Sequence, residues 1–411
     1  MEHLEDLGNP ALVKIIQDRI LSQGRITFAK FMEMALYTPE LGYYTSASEK
    51  IGLQGDYYTS TDLHPLFGEM VGLQLAQIAE SELLALPERA PSQTSGGLAS
   101  DCLIIEMGAG KGVLCQDILN YVRRKHPQFY QRLGYWIIET SPAMIQRQRD
   151  RLLAYIREDK VRWVDGLDHP VFSQGQGMVG FVLSNELLDS FPVHRLVKTG
   201  GVLKEVYVTL KEGRFSEVLD GPSCPDLSSY FEKLGVVLEE GQQVEVNLKA
   251  LDWMRQVGRT LSQGVVITVD YGYPAAELYS PDRKRGTFLC YYKHRVSEDP
   301  YIRVGQQDMT THVDFTSLAL AGQEVGLEVA GLTNQQYFLM GLGAAQEMEA
   351  RLQRHGDPQS RERELAAMKN LIAPDGLGKV FKILIQHKRL KGLKLNGLTY
   401  RPFSPEALFS L

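Results

Sequence analysis

The sequence predicts an α/β protein with a mostly parallel, doubly wound central sheet, preceded by helices and interrupted by an inserted segment. Three observations support this fold class. After residue 100, short β-branched or apolar runs alternate with amphipathic helical patterns, as in parallel βαβ units. The first of these runs ends in a glycine-rich turn, "EMGAGKG" at residues 106–112. A chain of 411 residues, 44% of them hydrophobic, can also bury a large core.

Residues 1–86 are predicted to form an N-terminal helical region. Apolar residues recur at helical spacing over residues 12–20 and again over residues 28–36, where Pro39 ends the pattern. The stretch that follows is rich in glycine, serine and tyrosine, which is typical of an ordered loop. A third helix is expected to start after Asp62 and to reach the end of this region.

Residues 87–100, "PERAPSQTSGGLAS", have the composition of a linker, and the sheet is expected to lie within residues 101–390. Its predicted strands are, in chain order, "CLIIE", "YWIIE", "VRWV", "VGFVLS" and "VVITVD". An insertion at about 200–250 should contain a β-hairpin, "VLKEVYVTL" and "RFSEVL" around "KEG", with a helix near "LKALDWMRQV". A helical segment at about 340–370 precedes a late strand, "KVFKILIQHK", and residues 391–411 form a tail without a readable pattern.

Composition excludes several classes of function. The formal net charge of −6 gives no electrostatic case for binding nucleic acid or an anionic membrane. The four cysteines are scattered and form no Cys-x-x-Cys pair, which indicates a reducing compartment. No apolar run approaches the roughly 18 residues that a membrane span needs. The acidic N-terminus does not resemble a signal or transit peptide, so we expect a cytoplasmic protein without membrane insertion.

The glycine turn is not a phosphate-binding P-loop. That motif requires Gly, four residues, and then Gly-Lys followed by Ser or Thr. Here Gly110 and Lys111 are followed by Gly112, and Ile105 stands where the first glycine is required. The sequence therefore breaks the motif at two positions.

The dinucleotide-binding fingerprint also fails, because its third small residue would fall on Val113. The carboxylate of Glu106, at the end of the preceding strand, would repel a pyrophosphate. A cationic ligand with an amino group and a sulfonium centre suits the turn better. The arrangement Glu106-x-Gly108-x-Gly110-x-Gly112 resembles the first motif of class I S-adenosylmethionine-dependent methyltransferases. The alternative is that the glycines only make a tight turn.

Two further acids follow the next strands. Glu139 ends "YWIIE", where a carboxylate can accept hydrogen bonds from both ribose hydroxyls. Asp165 follows "VRWV", where a side chain can contact the adenine amino group. For Asp165, a turn or helix N-cap role is the alternative. The glycine turn, Glu139 and Asp165 follow three successive predicted strands. Together they predict S-adenosyl-L-methionine as the cofactor.

The stretch "SNELLDSFPVHR" predicts the acceptor side of the site. In an open parallel sheet, ligands bind beyond the carboxyl ends of the strands, so Asn185 and Glu186 should face the transferred methyl group. Glu186 could hold a guanidinium through paired charge-assisted hydrogen bonds, with Asp189 as a further candidate catalytic residue. The alternative places Glu186 as a helix cap and Asp189 on the surface. His194 is expected to be structural, and no spacing in the chain indicates a metal site.

With these residues placed, the sequence looks like a MidA-like methyltransferase, the family of the mitochondrial complex I assembly factor that methylates a protein arginine. The motifs that carry the resemblance are "ITFAKFMEMALYTPELGYY", "GDYYTSTDLHPLFGEMVG", "EMGAGKG", "SNELLDSFPVHR", "VDYGY", "GTFLCYYKHRVSEDP" and "GQQDMTTHVDF". The resemblance implies a Rossmann-like core. It also implies a loop that folds over the cofactor through Gly55, Asp56, Thr59 and Ser60. By the same analogy, Asp270 and Tyr271 reach the rim of the site, and "THVDF" shapes its acceptor side.

The resulting hypothesis is a protein arginine methyltransferase with a protein substrate, such as a subunit of the respiratory complex I type. Methylation of a small molecule and an assembly chaperone that binds the cofactor with little catalysis are the alternatives. A nicotinamide oxidoreductase fits least. The C-terminal residues have no counterpart in the family, and the absence of a mitochondrial targeting segment favours a bacterial member. The oligomeric state is not predicted.

Overall fold

The computed structural model describes residues 7–46, 60–83, 101–173, 177–354, 357–400, 403 and 408–409. The strands in these ranges are β1 Ile26–Thr27, β2 Cys102–Met107, β3 Leu133–Ile138, β4 Val161–Val164, β5 Met178–Asn185, β6 His194–Thr199, β7 Val202–Lys211, β8 Arg214–Asp220, β9 Gln243–Val246, β10 Leu261–Tyr273, β11 Leu289–Tyr292, β12 Arg295–Ser297, β13 Asp308–Thr310, β14 Val313–Asp314, β15 Glu328–Asn334 and β16 Phe381–Lys388.

The α-helices are α1 Pro10–Gln23, α2 Phe28–Tyr37, α3 Ser60–Leu63, α4 Leu66–Ile78, α5 Val113–Lys125, α6 Pro127–Arg132, α7 Pro142–Arg151, α8 Leu153–Arg157, α9 Pro170–Ser173, α10 Pro225–Leu234, α11 Leu248–Thr260, α12 Ala275–Leu278, α13 Phe315–Gln323, α14 Gln335–Gly341, α15 Ala344–Arg354 and α16 Pro358–Ile372. A π-helical turn, Ala79–Leu83, extends α4, and a 3₁₀ turn, Asn396–Leu398, follows β16. The predicted linker, residues 87–100, lies outside the described residues.

The central sheet confirms the predicted fold class. Its strand order is β15-β16-β10-β5-β2-β3-β4, with β14 alongside β10. The five predicted strands, β2, β3, β4, β5 and β10, pair in parallel. The late strand β16 lies between β10 and β15 and is antiparallel to both. Its first six residues are buried, so it is an interior strand.

Helices cover both faces of this sheet because successive side chains of a strand point to opposite sides. On β2, Ile104 belongs to the apolar cluster that contains Leu75 of α4 and Ile118 of α5. Ile105, the next residue, belongs to the cluster that contains Met254 of α11. A mostly parallel sheet buried on both faces is the doubly wound arrangement that the sequence predicts.

The inserted segment, predicted at about 200–250, forms a second sheet whose strand β6 begins at His194. The predicted hairpin is present as β7 and β8, joined by Glu212 and Gly213 with φ values of +52° and +76°. Two successive positive φ values are typical of a two-residue type I′ turn. Strands β6 and β9, together with helix α10, complete the segment and were not predicted.

The N-terminal helices pack against this second sheet. Strand β1 pairs antiparallel with β7, with Ile26 opposite Val208. Residues of α1 and α2, including Phe31, share an apolar cluster with Val208 and Phe215 of the inserted sheet. Helix α4, by contrast, packs on α5 of the central domain. Helices α1 and α2 therefore pack on the inserted sheet, whereas α4 packs on the central domain.

The described part of the C-terminal tail packs on the core. Phe403 forms a bridge with Leu332 of β15. Leu408 is buried, and its carbonyl accepts a hydrogen bond of 2.8 Å from the hydroxyl of Thr316. These contacts anchor the tail against α13 and β15.

A close approach between glycines on β5 and β10 gives a stability prediction. Gly264 lies opposite Gly180, and a Cβ at Gly264 would come within 1.8 Å of the Gly180 carbonyl oxygen. We expect Gly264→Ala to lower the free energy of unfolding by about 2 kcal/mol, measured by urea denaturation. Gly221→Ala is the control, because no heavy atom beyond its two chain neighbours lies within 4 Å of the added Cβ. Equal unfolding midpoints for the two variants would contradict this expectation.

Candidate active site

Two adjacent cavities lie at the carboxyl ends of the parallel strands. The first cavity has a volume of about 320 Å³. Its walls come from the glycine turn after β2, from residues 138–141 at the end of β3, and from residues 185–187 at the end of β5. The side chains of Tyr37, Tyr44 and Lys249 also line it. This is the position where an open α/β sheet binds its ligands.

The glycine turn depends on conformations that favour glycine. Gly108, Gly110 and Gly112 have φ values of +67°, +50° and +75°. Gly108 and Gly110 line the first cavity, as predicted for residues that approach a ligand closely. Gly112 is not in the lining; it caps the N-terminus of α5, and its Cβ position lies 3.4 Å from the side chain of Gln148. The structure thus gives Gly112 a packing role.

Glu106 lines the first cavity and is 2% exposed. Its carboxylate accepts a hydrogen bond of 2.7 Å from the Tyr135 hydroxyl. Burial raises the pKa of Glu106 to about 7, although the Tyr135 hydrogen bond acts in the opposite direction. A positively charged ligand group next to this carboxylate would favour its ionised form.

Glu139 follows β3 directly and lines the same cavity. Its Oε1 accepts hydrogen bonds of 2.9 Å from the backbone N–H groups of Thr140 and Ser141. Its Oε2 accepts one of 3.1 Å from Gln148, whose Nε2 also donates to the Gly110 carbonyl at 2.8 Å. Gln148 therefore connects the glycine turn to Glu139, and these contacts hold the carboxylate in place.

Gln148 was missed by sequence reasoning. It is fully buried on α7, and its own Oε1 accepts a hydrogen bond of 2.7 Å from the indole N–H of Trp163 on β4. No motif marks this residue, because its importance comes from contacts between three separate βα units.

Of the other predicted cofactor residues, the structure describes the side chain of Asp165 alone. Asp165 is exposed and is not part of the lining of the first cavity. Gly55, Asp56 and Thr59 lie outside the described residues, as does the side chain of Ser60. Roles for these residues in cofactor binding therefore stay predictions.

Glu186 occupies the wall that the two cavities share. Its φ of +51° is in the left-handed region, which is unusual for a glutamate and occurs more often at functional sites. The backbone N–H of Glu186 donates to the Val269 carbonyl at 2.9 Å, and the Asn185 amide donates to Oε1 at 3.2 Å. Residues 186–193 form turns that lead into β6, so the alternative role as a helix cap is wrong.

Asp189 is 5% exposed, so the alternative that placed it on the surface is also wrong. Its Oδ2 accepts a hydrogen bond from the Tyr271 hydroxyl, whereas its Oδ1 is buried without a hydrogen-bond partner among the described residues. Burial raises the pKa of Asp189 to about 6. The neighbouring Asp270 accepts hydrogen bonds from the N–H groups of Leu188 and Tyr271, and burial and repulsion by Asp189 raise its pKa.

The second cavity has a volume of about 240 Å³ and is lined by Glu186, Asp189 and, in addition, Asp308 of β13. Sequence reasoning did not single out Asp308. His312 also lines the cavity, and burial together with nearby Arg283 and Lys382 lowers its pKa to about 4. The imidazole is therefore neutral at physiological pH.

His194 lies outside the linings of both cavities. Its Nδ1 is 2.7 Å from the Glu205 carboxylate on the neighbouring strand β7, which is consistent with the structural role predicted for it. Among the described residues, no helix combines the length and apolar character that crossing a membrane requires. Nor do three or more His, Cys, Asp or Glu side chains within those ranges come together in a way that could hold a metal ion.

The residues of the first cavity fit S-adenosyl-L-methionine. The positive-φ turn lets the backbone approach a ligand, and Glu139 presents a fixed carboxylate that can accept hydroxyl hydrogen bonds. The Asn185 Oδ1 atom, which lies in a residue of this lining, is buried without a partner in the described part of the chain. A bound ligand could supply the missing donor.

Comparison with known proteins agrees with this fit. A family model described as "Putative S-adenosyl-L-methionine-dependent methyltransferase" matches residues 90–333. The chain is 27% identical over 407 residues to the mitochondrial "Protein arginine methyltransferase NDUFAF7 homolog" of Drosophila melanogaster, which covers 92% of this chain and 85% of that protein. It is 26% identical to the mitochondrial "Protein arginine methyltransferase NDUFAF7" of Homo sapiens, with 97% and 90% covered.

Two solved structures from Burkholderia thailandensis are also similar. A COG1565 superfamily member bound to S-adenosyl-homocysteine has 27% sequence identity and a TM-score of 0.81, with 95% of each chain covered. A native structure of a COG1565 superfamily protein from the same organism has 26% identity and a TM-score of 0.77, again with 95% of each chain covered.

Proposed function

We propose that this chain, which belongs to the S-adenosyl-L-methionine-dependent methyltransferase family whose model it matches, methylates the guanidinium group of an arginine in a protein. S-adenosyl-L-methionine is the cofactor of the family. We propose arginine as the acceptor of the methyl group. The observation that carries it is the position of Glu186, held in a left-handed conformation between a cavity that fits the cofactor and a second cavity lined by carboxylates.

In this proposal, the first cavity binds the cofactor. The backbone at Gly108 and Gly110 would contact its methionine and ribose parts, and Glu139 would accept hydrogen bonds from the ribose hydroxyls. Glu106 would favour the positively charged end of the cofactor. A protonated amine and a sulfonium are the groups that suit this buried carboxylate.

The cofactor, when bound, supplies an electrophilic methyl group on a positively charged sulfur. Glu186 would hold the guanidinium by charge-assisted hydrogen bonds and direct one nitrogen toward that methyl group. Asn185 would fix the orientation of the Glu186 carboxylate through the hydrogen bond to Oε1. Attack by the nitrogen would form the N–C bond and break the C–S bond, so that S-adenosylhomocysteine leaves with the electron pair. The methylated guanidinium would then pass its extra proton to the Glu186 carboxylate and from there to solvent. Asp189 and Tyr271, which donates a hydrogen bond to it, would lie on the acceptor side and stabilise the positive charge of the guanidinium.

The names of the relatives support arginine as the acceptor. The Drosophila melanogaster and Homo sapiens proteins are both named protein arginine methyltransferases, and the similarity extends over nearly the full length of this chain. Membership of the methyltransferase family supports methyl transfer by this chain. Because the identity to these relatives is only 26–27%, the acceptor has to be tested separately.

That test measures where the methyl label goes. Purified protein and S-adenosyl-L-methionine labelled in the methyl group are incubated with lysate of the organism that encodes it, and the label is separated into acid-precipitable and acid-soluble fractions. We expect label in the acid-precipitable protein fraction. New labelled products in the soluble fraction alone, separated from unreacted S-adenosyl-L-methionine by chromatography, would instead support a small-molecule methyltransferase. No labelled product in either fraction, with cofactor binding intact, would support an assembly chaperone.

The affinity for the acceptor is expected to rise with pH between about 5 and 7. Burial raises the pKa of Asp189 to about 6, so its carboxyl is mostly protonated at pH 5. A guanidinium favours the ionised form, so binding releases a proton, and affinity decreases by up to about tenfold per pH unit below this pKa. The other titratable groups around it are Tyr37, Glu186, Asp270, Tyr271, Tyr291, Asp308 and His312.

The measurement is the pH profile of KM for the labelled acceptor. Asp189→Asn removes the titrating carboxyl, so its profile should be flat over this range at a higher KM. A wild-type KM that does not change between pH 5 and 7 would contradict the assignment of Asp189 to the acceptor side.

A further inference from the structure

We infer that the second cavity receives the guanidinium group of the acceptor, and that Asp308 binds this group together with Glu186 and Asp189. The inference rests on the proposed function, because it names the acceptor subsite of the same reaction. It assigns a specificity-determining role to Asp308, on a strand outside the central sheet.

The position of the second cavity fits this role. Glu186 and Tyr44 line both cavities, so the two spaces meet at these side chains. A group held in the second cavity beside Glu186 would therefore face the first cavity. This is the arrangement that in-line transfer between a cofactor and an acceptor requires.

The carboxylate of Asp308 is buried and fixed. Asp308 is 2% exposed, and its Oδ1 accepts hydrogen bonds of 2.7 Å from the Tyr44 hydroxyl and 2.9 Å from the Met309 backbone N–H. Strand β13 pairs antiparallel with β11, which places Asp308 directly opposite Tyr291. A buried carboxylate held in this way is poised to bind a cation with a small loss of side-chain entropy.

The charges of the second cavity select for a cation. Its lining contains Glu186, Asp189 and Asp308, and among the described lining residues there is no lysine or arginine. The neutral His312 does not oppose a positive ligand. The buried Oδ1 of Asp189, which has no partner among the described residues, would gain a donor from the ligand. Leaving such an acceptor unsatisfied costs about 1–3 kcal/mol, so the cavity is suited to a ligand with many donors.

The aromatic side chains that line the second cavity favour a guanidinium over an ammonium group. Aromatic side chains in its lining are Tyr44, Tyr271, Tyr291 and Phe381. A guanidinium is planar, stacks on aromatic rings and presents five N–H donors in one plane, so it can satisfy several carboxylates at once. A lysine ammonium has three donors and a tighter hydration shell, and it would gain less from this lining.

The test is a binding titration that involves no methyl transfer. Protein saturated with S-adenosylhomocysteine is titrated with ethylguanidinium, propylammonium and neutral ethylurea, and binding is followed by NMR. We expect ethylguanidinium to bind at least about tenfold more tightly than either of the other probes. Asp308→Asn should weaken ethylguanidinium binding by about tenfold or more, because the amide keeps the hydrogen-bonding shape and loses the charge.

Two further variants complete the experiment. Asp282→Asn, which changes an exposed acid, is the matched control and should bind ethylguanidinium like the wild type. Leu289→Phe enlarges a lining residue and should block the probe while affinity for S-adenosylhomocysteine, the measure of correct folding, is kept within about threefold. If Asp308→Asn does not retain S-adenosylhomocysteine binding, Asp308→Ser takes its place as the test of the carboxylate, and Leu289→Phe tests the cavity.

Equal ethylguanidinium affinity in the wild type and in a folded Asp308→Asn or Leu289→Phe variant would overturn this inference. So would wild-type binding of ethylguanidinium no tighter than that of ethylurea. Neither result alters the proposed function, which is tested separately by the fraction that carries the methyl label and by the amino acid that bears it.

Discussion

Glu186→Gln is expected to lower kcat/KM for methyl transfer by about 10²–10³-fold, while the Kd for S-adenosyl-L-methionine stays within about threefold. The glutamine side chain has the same size, and it loses the charge that would hold the guanidinium. The nitrogen would then be misplaced relative to the methyl group, and this displacement affects the transition state more than cofactor binding. Initial rates of label transfer and calorimetric titration of the cofactor measure the two quantities.

A matched control is available for the unusual backbone of Glu186. Glu212 has a φ of +52°, close to the +51° of Glu186, and lies in the exposed hairpin turn between β7 and β8. Glu212→Gln makes the same chemical change in the same backbone conformation away from both cavities, so its rate should equal that of the wild type. If the Glu186→Gln rate were also unchanged, Glu186 would have no part in acceptor binding.

Glu139→Ala is expected to raise the Kd for S-adenosyl-L-methionine and S-adenosylhomocysteine by about 100-fold. Its carboxylate would accept hydrogen bonds from the ribose, and each hydrogen bond to a charged group contributes about 1.5–3 kcal/mol. The substitution also removes the acceptor for Thr140, Ser141 and Gln148, so the wall of the first cavity would become less ordered. Calorimetric titration of S-adenosylhomocysteine measures the loss.

Glu328→Ala, at an exposed glutamate that begins β15, is the control for that titration and should leave the Kd unchanged. Asp165→Ala in the same series tests the adenine contact that the sequence predicts. A tenfold rise in Kd would support the contact, whereas an unchanged Kd would leave Asp165 as a turn residue. An unchanged Kd for Glu139→Ala would remove the ribose role from Glu139.

Much of the central sheet could be predicted because its signals are local. Five apolar runs each form a parallel strand, and the "KEG" turn marks the hairpin of β7 and β8. The pairing of β1 with β7 could not be predicted, since β1 is two residues long and its partner is far away in the sequence. The interior position of β16 depends on strand order, which is a property of the whole fold.

The residues of the candidate site also differ in whether a local sequence signal marks them. Glu139 and Glu186 were identified because each follows a strand whose end must face the ligand edge of the sheet. Gln148 and Asp308 were missed because their positions result from contacts between segments that the sequence does not connect, such as Tyr44 with Asp308. The burial of Asp189 also could not be predicted, because the sequence "LLDSF" is compatible with an exposed turn as well as with a buried one.

The identity of the methylated amino acid distinguishes arginine from every other acceptor in a protein. Protein labelled by this enzyme is hydrolysed completely in acid, and the amino acids are separated and compared with methylated standards. We expect the label to elute as N-methylated arginine, and we expect Glu186→Gln to reduce this peak by about 10²-fold or more. Label on lysine, histidine or another amino acid, with none on arginine, would contradict it.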